Sequence, residues 1–364
     1  MKTAEFRQGV RAWLDGNDLT PPTDDSLDAQ VAQLARVRAA LWDADWMRYG
    51  WPCAVGGLGG SGTLRAVLGE EVASRALAEP GIWSMVEVLV PTVVDYAPPA
   101  LAAEMVPRLL SGREQWCQGF SEPGSGSDLA SLSTRAVPDG DVWVVSGQKV
   151  WTSLAQYAAR CVLLARTGGP GHAGISAFLV DMDSPGITVR PLRTMHGVDE
   201  FAEVFLDDVR VPAHRMLGAP GDGWRLAMDL LPHERSTCFW HRIAHLYGTL
   251  DRLLADDREP DADALGAVWL DLHTVRCRSA ATQRRLAGGG RLGPETSVDK
   301  ILLATAEQRL FDTARDLLPT VVELAEDAGW RTGYLYSRAA SIYGGTAEIQ
   351  RNIVARRLLG LGKE

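Results

Sequence analysis

No run in this 364-residue chain approaches the roughly 20 consecutive apolar residues that a bilayer-spanning helix needs. The N-terminus, MKTAEFRQGVRAWLDG, lacks the unbroken apolar core and small-residue cleavage site of a secretory leader, so a cytoplasmic location is expected. Positive charge is scarce too. With 37 Lys and Arg against 46 Asp and Glu, the net charge of −9 speaks against a nucleic-acid partner, which requires a basic surface. A local basic patch that holds a phosphorylated small molecule stays compatible with it. The five cysteines, Cys53, Cys117, Cys161, Cys238 and Cys277, are odd in number, far apart and without a CxxC pair. They read as reduced, mostly buried fillers rather than zinc or redox ligands. What remains is an ordinary globular chain, 46% apolar and 23% charged, long enough for two or three packed units.

The texture changes twice along the chain. Residues 1 to about 110 are rich in Ala, Leu, Glu and Arg, and stretches such as DAQVAQLARVRAALWDADW and LRAVLGEEVASRAL set apolar residues at helical spacing. The glycine-rich PCAVGGLGGSGT has no strand before it and no GKS or GKT after it, so it reads as a connector between helices. From Trp116 to about Val211, segments such as STRAVPDGDVWVVSGQKVW and ISAFLVDMDSPGITVRPL place β-branched and aromatic residues between Asp-Gly, Ser-Gly and Pro-Gly turns. That pattern predicts antiparallel strands and hairpins. Helical periodicity returns beyond Gly223, interrupted by DDREPDAD and AGGGRLGPET, which read as exposed loops.

Two segments carry possible chemistry. QGFSEPGSGSDLASLSTRA, from Gln118, mixes turn formers with hydroxyls, so its backbone can lie close to a ligand while donating hydrogen bonds. About twenty residues on, GQKVWTS sets Trp151 beside Thr152 and Ser153, which suits a planar aromatic ligand and equally suits a core tryptophan at a strand end. His241 and His245 in HRIAH share a helix face, but without HExxH or a third ligand they point to structural or surface roles, and no metal is expected. Ser236, Ser125 and Ser127 lack a GxSxG elbow, which leaves nucleophilic hydrolysis without support.

Taken in order, the helical N-terminal part, SEPGSGSD, GQKVWTS, FLVDMDSPGITV and YGGTAEIQRNIVARRLLGL resemble the acyl-CoA dehydrogenase family over nearly the whole chain. The resemblance implies an α+β fold: an N-terminal helical domain over 1–113, a central antiparallel β-domain over 114–217 and a C-terminal four-helix domain over 218–364. It further implies FAD held between the β-domain and C-terminal helices of two subunits, oxidation of an acyl-CoA thioester, and electron transfer to an electron-transferring flavoprotein. By motif position, Phe120, Ser121, Gly126 and Ser127 would line the flavin and the acyl thioester, Ser127 touching substrate as well. Trp151, Thr152 and Ser153 would flank the isoalloxazine, with Ser153 nearest N5. Thr346 and Glu348, at the start of a long final helix, would approach the dinucleotide.

One expected residue is missing. An acyl thioester α-proton is weakly acidic, so its removal calls for a carboxylate in a dry pocket, and many members carry that carboxylate where this chain has Gly344, next to Tyr343. Some relatives place the base on an earlier helix, immediately before an arginine. The matching stretch, GWRLAMDLLPHERSTCFWHRI, offers Glu234 followed by Arg235. By periodicity alone it is an amphipathic helix packing Leu226, Leu230, Leu231 and Ile243, with Glu234 a solvated or salt-bridged carboxylate. The resemblance makes Glu234 the catalytic base, with Arg235, Tyr343 and Gly344 beside the substrate.

The chain also departs from the family. Homotetrameric members supply an arginine in RxxFG and amides in QxxGGxG to FAD of the neighbouring subunit, and neither motif is present here. Such charge-assisted hydrogen bonds are worth about 1.5–3 kcal/mol each. Either a paralogous subunit supplies them, as in heteromeric actinobacterial relatives, or Arg276, Arg278 and Arg338 reach the phosphates by another route. Two further readings stay open: a non-catalytic subunit supporting an active paralogue, and a flavin enzyme of the same fold that uses oxygen or a carrier-protein-bound acyl group.

Overall fold

The computed structural model of the chain describes residues 1–362 apart from 22, 25, 256–260 and 325. Its N-terminal third is helical: α1 (Thr3–Asp15), α2 (Leu27–Asp43), α3 (Thr63–Ser74), α4 (Pro80–Trp83), α5 (Met85–Tyr96) and α6 (Pro99–Leu110). Residues three and four apart, such as Phe6, Val10 and Leu14 on α1 and Leu34, Val37 and Leu41 on α2, lie on one helical face and enter one core. The glycine-rich segment joins α2 to α3 through a short 3₁₀ turn at Cys53–Val55, as a connector.

Eight strands follow: β1 (Gln115–Gly119), β2 (Arg135–Asp139), β3 (Val142–Ser153), β4 (Ala158–Arg166), β5 (Ile175–Asp181), β6 (Ile187–Leu192), β7 (Phe201–Pro212) and β8 (Met216–Leu217). They form one sheet in the order β6-β7-β3-β2-β4-β5-β8, with β1 also on β4. Pairing is antiparallel except where β4 meets β1 and β2 in parallel, so the sheet is mixed rather than wholly antiparallel. The β2–β3 hairpin intervenes between β1 and β4, and a chain that returns after a hairpin runs in its original direction. β4 explains why this region is so apolar. Cys161, Leu163 and Ala165 point into the core between the two halves of the sheet, while Val162 and Leu164 point into the helical core, so both faces are buried.

The C-terminal part contains α7 (Gly223–Glu234), α8 (Thr237–Leu254), α9 (Ala262–Ala287), α10 (Glu295–Leu317), α11 (Pro319–Glu323), α12 (Ala328–Ser337) and α13 (Ala347–Ile353). Three long helices share a core: Phe239, Ile243, Leu246, Leu250 and Leu253 of α8, Leu265, Val268, Leu272 and Val275 of α9, and Leu303, Leu310 and Phe311 of α10. α7 instead sends Leu226, Ala227 and Leu230 into the N-terminal core. The AGGGRLGPET loop lies between α9 and α10 as expected; of DDREPDAD, residues 256–260 lie outside the described residues. The final helix is short. Its seven α-helical residues run straight into a π turn at Val354–Leu358.

Candidate active site

The stretch expected as one amphipathic helix is two. α7 ends at Glu234 and α8 begins at Thr237, with Ser236 between them at φ −118, ψ −99. Pro232, which has no N–H to give, weakens the last turn of α7, and the amides of Arg235 and Ser236 close tighter bonds to the carbonyls of Pro232 and His233. Glu234 and Arg235 therefore project from a helix end rather than from a helix flank.

That break aims both side chains at the turn before α13. Gly344 and Gly345 adopt φ +62 and +90, in the left-handed region that side chains disfavour. A Cβ built on Gly344 would lie 2.7 Å from Glu234 Oε1, so the Glu234 carboxylate fills the space a side chain at 344 would take. Arg235 is buried and donates from Nη2 to the Gly344 carbonyl at 2.8 Å. Gln350 Nε2 donates to the carbonyls of Gly344 and Gly345 at 3.1 and 3.3 Å. Lys300 Nζ donates to the Ala340 carbonyl at 2.6 Å and stands 3.9 Å over the Tyr343 ring. Burial pushes Lys300 down to about 8, against the pull of Glu234 and Glu307 toward the charged form. Three side chains thus fix the turn against which Glu234 rests.

Phe120, Ser121, Trp151, Thr152 and Ser153 form a second group. Val150 donates to the Ser121 carbonyl at 2.9 Å and Lys149 Nζ to the Phe120 carbonyl at 3.2 Å, so 120–121 lie against the end of β3. There β3 slips register against β7, and Trp151 takes φ +58, a strained conformation for an aromatic residue. Trp151 is 60% exposed, which corrects the core-tryptophan alternative; its ring meets that of Phe201 in a T-shaped contact, centroids 5.9 Å apart. Thr152 is fully buried, and among the described residues its hydroxyl has no hydrogen-bond partner. Gly126 and Ser127 lie on an exposed loop that follows Phe120 and Ser121, tied back by the backbone bonds between Glu122 and Ser125.

Sequence reasoning missed what secures that loop. Glu122 accepts from the amides of Ser133 and Thr134 at 2.6 and 2.9 Å, from the Ser133 hydroxyl at 2.7 Å and from buried Lys149 at 2.8 Å. Burial favours its neutral form, yet Lys149 and these donors hold the carboxyl down to about 2. A buried acid twenty-seven residues from a buried lysine carries no local signature, so only the fold reveals the pair.

Most of the remaining candidate residues have partners within the chain. Arg276 pairs with Glu70 and covers the Trp240 ring, Arg278 pairs with Asp299 at 2.9 Å, and Arg338 pairs with Asp312 at 3.0 Å, so all three arginines are engaged within the chain. Thr346 caps α13 by accepting from the Ile349 amide at 3.2 Å, and Glu348 is exposed beside Arg351. Of the five cysteines only Cys117 and Cys161 are buried, since Cys53 and Cys277 lie on exposed helix surfaces and connectors. Burial pushes His241 and His245 down to about 4 and 3, which favours the neutral ring; His241 is buried in the core, where its Nδ1 meets the Ser84 hydroxyl at 3.2 Å, and His245 is half-buried.

Two family models match in the order of these elements: the acyl-CoA dehydrogenase middle domain over residues 117–209 and the acyl-CoA dehydrogenase C-terminal domain over 221–359. The acyl-CoA dehydrogenase IpdE1 of Mycobacterium tuberculosis is 38% identical over 99% of this chain and 98% of its own. The chain belongs to the acyl-CoA dehydrogenase family. It is accordingly an FAD-dependent oxidoreductase of the class that oxidises acyl-CoA thioesters. Among solved acyl-CoA dehydrogenases, the Tcur3481–Tcur3483 steroid ACAD superposes with a TM-score of 0.85 at 25% identity, over 100% of this chain and 97% of that one. The ChsE4–ChsE5 complex of Mycobacterium tuberculosis gives 0.80 at 27% identity, over 100% and 98%. Among the described residues, no helix of this acyl-CoA dehydrogenase is long and apolar enough to cross a membrane.

The residues at the end of β3 fit a flavin. Thr152 presents a buried hydroxyl without a partner, and Trp151 an exposed ring on strained backbone. Arg276, Arg278 and Arg338, the arginines offered for the diphosphate, each hold an acidic partner within the chain.

Proposed function

We propose that this acyl-CoA dehydrogenase desaturates its thioester between the α and β carbons, with Glu234 as the base. The observation that carries the reading is the Glu234 carboxylate occupying the side-chain space above Gly344. Glu234 takes the α-proton onto a carboxylate oxygen. Arg235, Gln350 and Lys300 hold the Tyr343–Gly345 turn still, so the carboxylate needs little reorganisation at the moment of transfer. Phe120, Ser121, Trp151, Thr152 and Ser153 hold the isoalloxazine edge, and Thr152 gains the hydrogen bond it lacks. Bound FAD would supply the two-electron acceptor for the hydride that leaves the β-carbon, and an electron-transferring flavoprotein would reoxidise it.

The same reading makes the site heteromeric. With Arg276, Arg278 and Arg338 engaged and the RxxFG and QxxGGxG stretches missing, a paralogous subunit supplies the diphosphate contacts. The test is anaerobic titration of the flavin-loaded protein, alone and with its paralogue, using a panel of acyl-CoAs. We expect bleaching of the flavin band in wild type and at least a 10³-fold slower rate in Glu234→Gln. Full-rate bleaching in that variant would sink the assignment, and stoichiometric FAD on the isolated chain would remove the need for a second subunit.

A further inference from the structure

Two buried cations flank the base, and among the described residues neither touches an anion. Lys300 is 3% exposed; its Nζ donates only to the Ala340 carbonyl, at 2.6 Å, and stands 3.9 Å over the Tyr343 ring. Arg235 is 7% exposed and donates only to the Gly344 carbonyl, which leaves its Nε without a partner. The acids beside Lys300 on α10 are engaged elsewhere. Glu307 gives its two oxygens to Arg242 at 2.6 and 3.2 Å, and Asp299 accepts from Arg278 at 2.9 Å and from the Thr282 hydroxyl at 2.8 Å. Glu234 is the complementary case: its carboxylate accepts no hydrogen bond and joins no ion pair among the described residues.

The three groups meet at one place. The Cβ position above Gly344 lies 2.7 Å from Glu234 Oε1 and 3.7 Å from Lys300 Cε, and Arg235 holds the carbonyl of the same residue. Acid and ammonium thus face one another across the room of a single absent side chain. They are too far apart for a contact pair, yet near enough to attract strongly where water is excluded and salt screens little. The other titratable groups around them are neutral: burial pushes the Tyr343 hydroxyl and the Cys238 thiol far up and the His233 imidazole down to about 4. Enclosing an acyl group strips water from the Glu234 carboxylate, and desolvation favours the neutral acid, which can take no proton.

We propose that Lys300 is the counter-ion that keeps the Glu234 carboxylate charged in the acyl-loaded site, and so sets the lower pH limit of proton abstraction. It is a positioning residue, acting through Glu234 without touching substrate or flavin, and the inference rests on the reading of Glu234 as the base. Burial pushes Lys300 down to about 8, so its ammonium is present below pH 8 and is lost above it. The benefit therefore falls on the acid side, where a carboxylate is in danger of protonation.

The test is anaerobic stopped-flow reduction of the flavin-loaded holoenzyme, from about pH 6 to pH 9, by a saturating concentration of the acyl-CoA that bleaches wild type fastest. Wild type is compared with Lys300→Gln and Lys300→Met. Gln can still donate to the Ala340 carbonyl, and Met fills the space of the lysine stem with no charge to bury, so the two neutral variants fail to fold for different reasons if they fail at all. We expect either one to be about tenfold or more slower than wild type at pH 6, the equivalent of about one pH unit, and to come within about twofold of it at pH 9. A turn that is merely displaced would slow reduction equally at every pH. A pH-independent loss, no loss at pH 6, or failure of both variants to fold would each overturn the inference while the dehydrogenase reading stands. Full-rate reduction by Glu234→Gln would remove both.

Discussion

Adding one methyl group at Gly344 tests the Glu234 assignment more sharply than removing the carboxylate. A Cβ there would lie 2.7 Å from Glu234 Oε1, against the 3.4 Å or more of ordinary van der Waals contact, so the carboxylate must move by about 0.7 Å. Holding alanine at φ +62 costs a further 1–2 kcal/mol, roughly, of folding stability. Misplacing a reacting group by about 1 Å can cost on the order of 10²-fold in rate, so Gly344→Ala should slow flavin reduction about 10- to 100-fold. Gly345→Ala is the matched control. It carries the same backbone penalty at φ +90, but its methyl group would strike Gln350 Nε2 instead of Glu234. It should destabilise at least as much while slowing reduction less than about fivefold. The assay is anaerobic stopped-flow reduction by a fixed acyl-CoA, alongside urea unfolding of each variant. If the two alanines slow reduction equally, or Gly345→Ala slows it more, the position of the Glu234 carboxylate is not what the turn controls.

Three further outcomes follow from the same geometry. Glu122→Gln leaves Lys149 buried without its counter-charge, and breaking a buried pair costs about 3–5 kcal/mol, readable by urea unfolding at pH 7. Because folding lowers the Glu122 pKa from 4.5 to about 2, its contribution is complete above pH 4.5 and fades as pH falls toward 2. The gap between wild type and variant should close over that window, and a gap constant from pH 6 to 3 would contradict the pairing. Thr152→Val removes a buried hydroxyl that has no partner, so the flavin-free protein should be no less stable, whereas FAD binding should weaken about tenfold by fluorescence titration, the worth of one hydrogen bond. Trp151→Ala should leave unfolding unchanged, because the ring is exposed, while it lowers flavin affinity; a loss above about 1 kcal/mol in the flavin-free protein would return Trp151 to the core.

Local chemistry decided much of this molecule in advance. The heptad-like spacing of Phe239, Ile243, Leu246 and Leu250 fixes which face of α8 is buried, and the alternating but wholly apolar Cys161–Ala165 run requires a strand covered on both sides. Glycines at 344 and 345 could be read from sequence as a tight turn, whereas only the family resemblance raised the question of a carboxylate from elsewhere in the chain. These are properties of neighbours in sequence, whose spacing sets their direction whatever surrounds them. Tertiary structure alone decided the rest. The break at Arg235–Ser236 brings Glu234 to a glycine 110 residues away, Glu122 finds Lys149, and three arginines offered as an alternative route to a phosphate are paired with Glu70, Asp299 and Asp312. A charge's partner and its burial depend on which helices and strands meet, and that long-range meeting is set by packing of the whole core rather than by any local pattern.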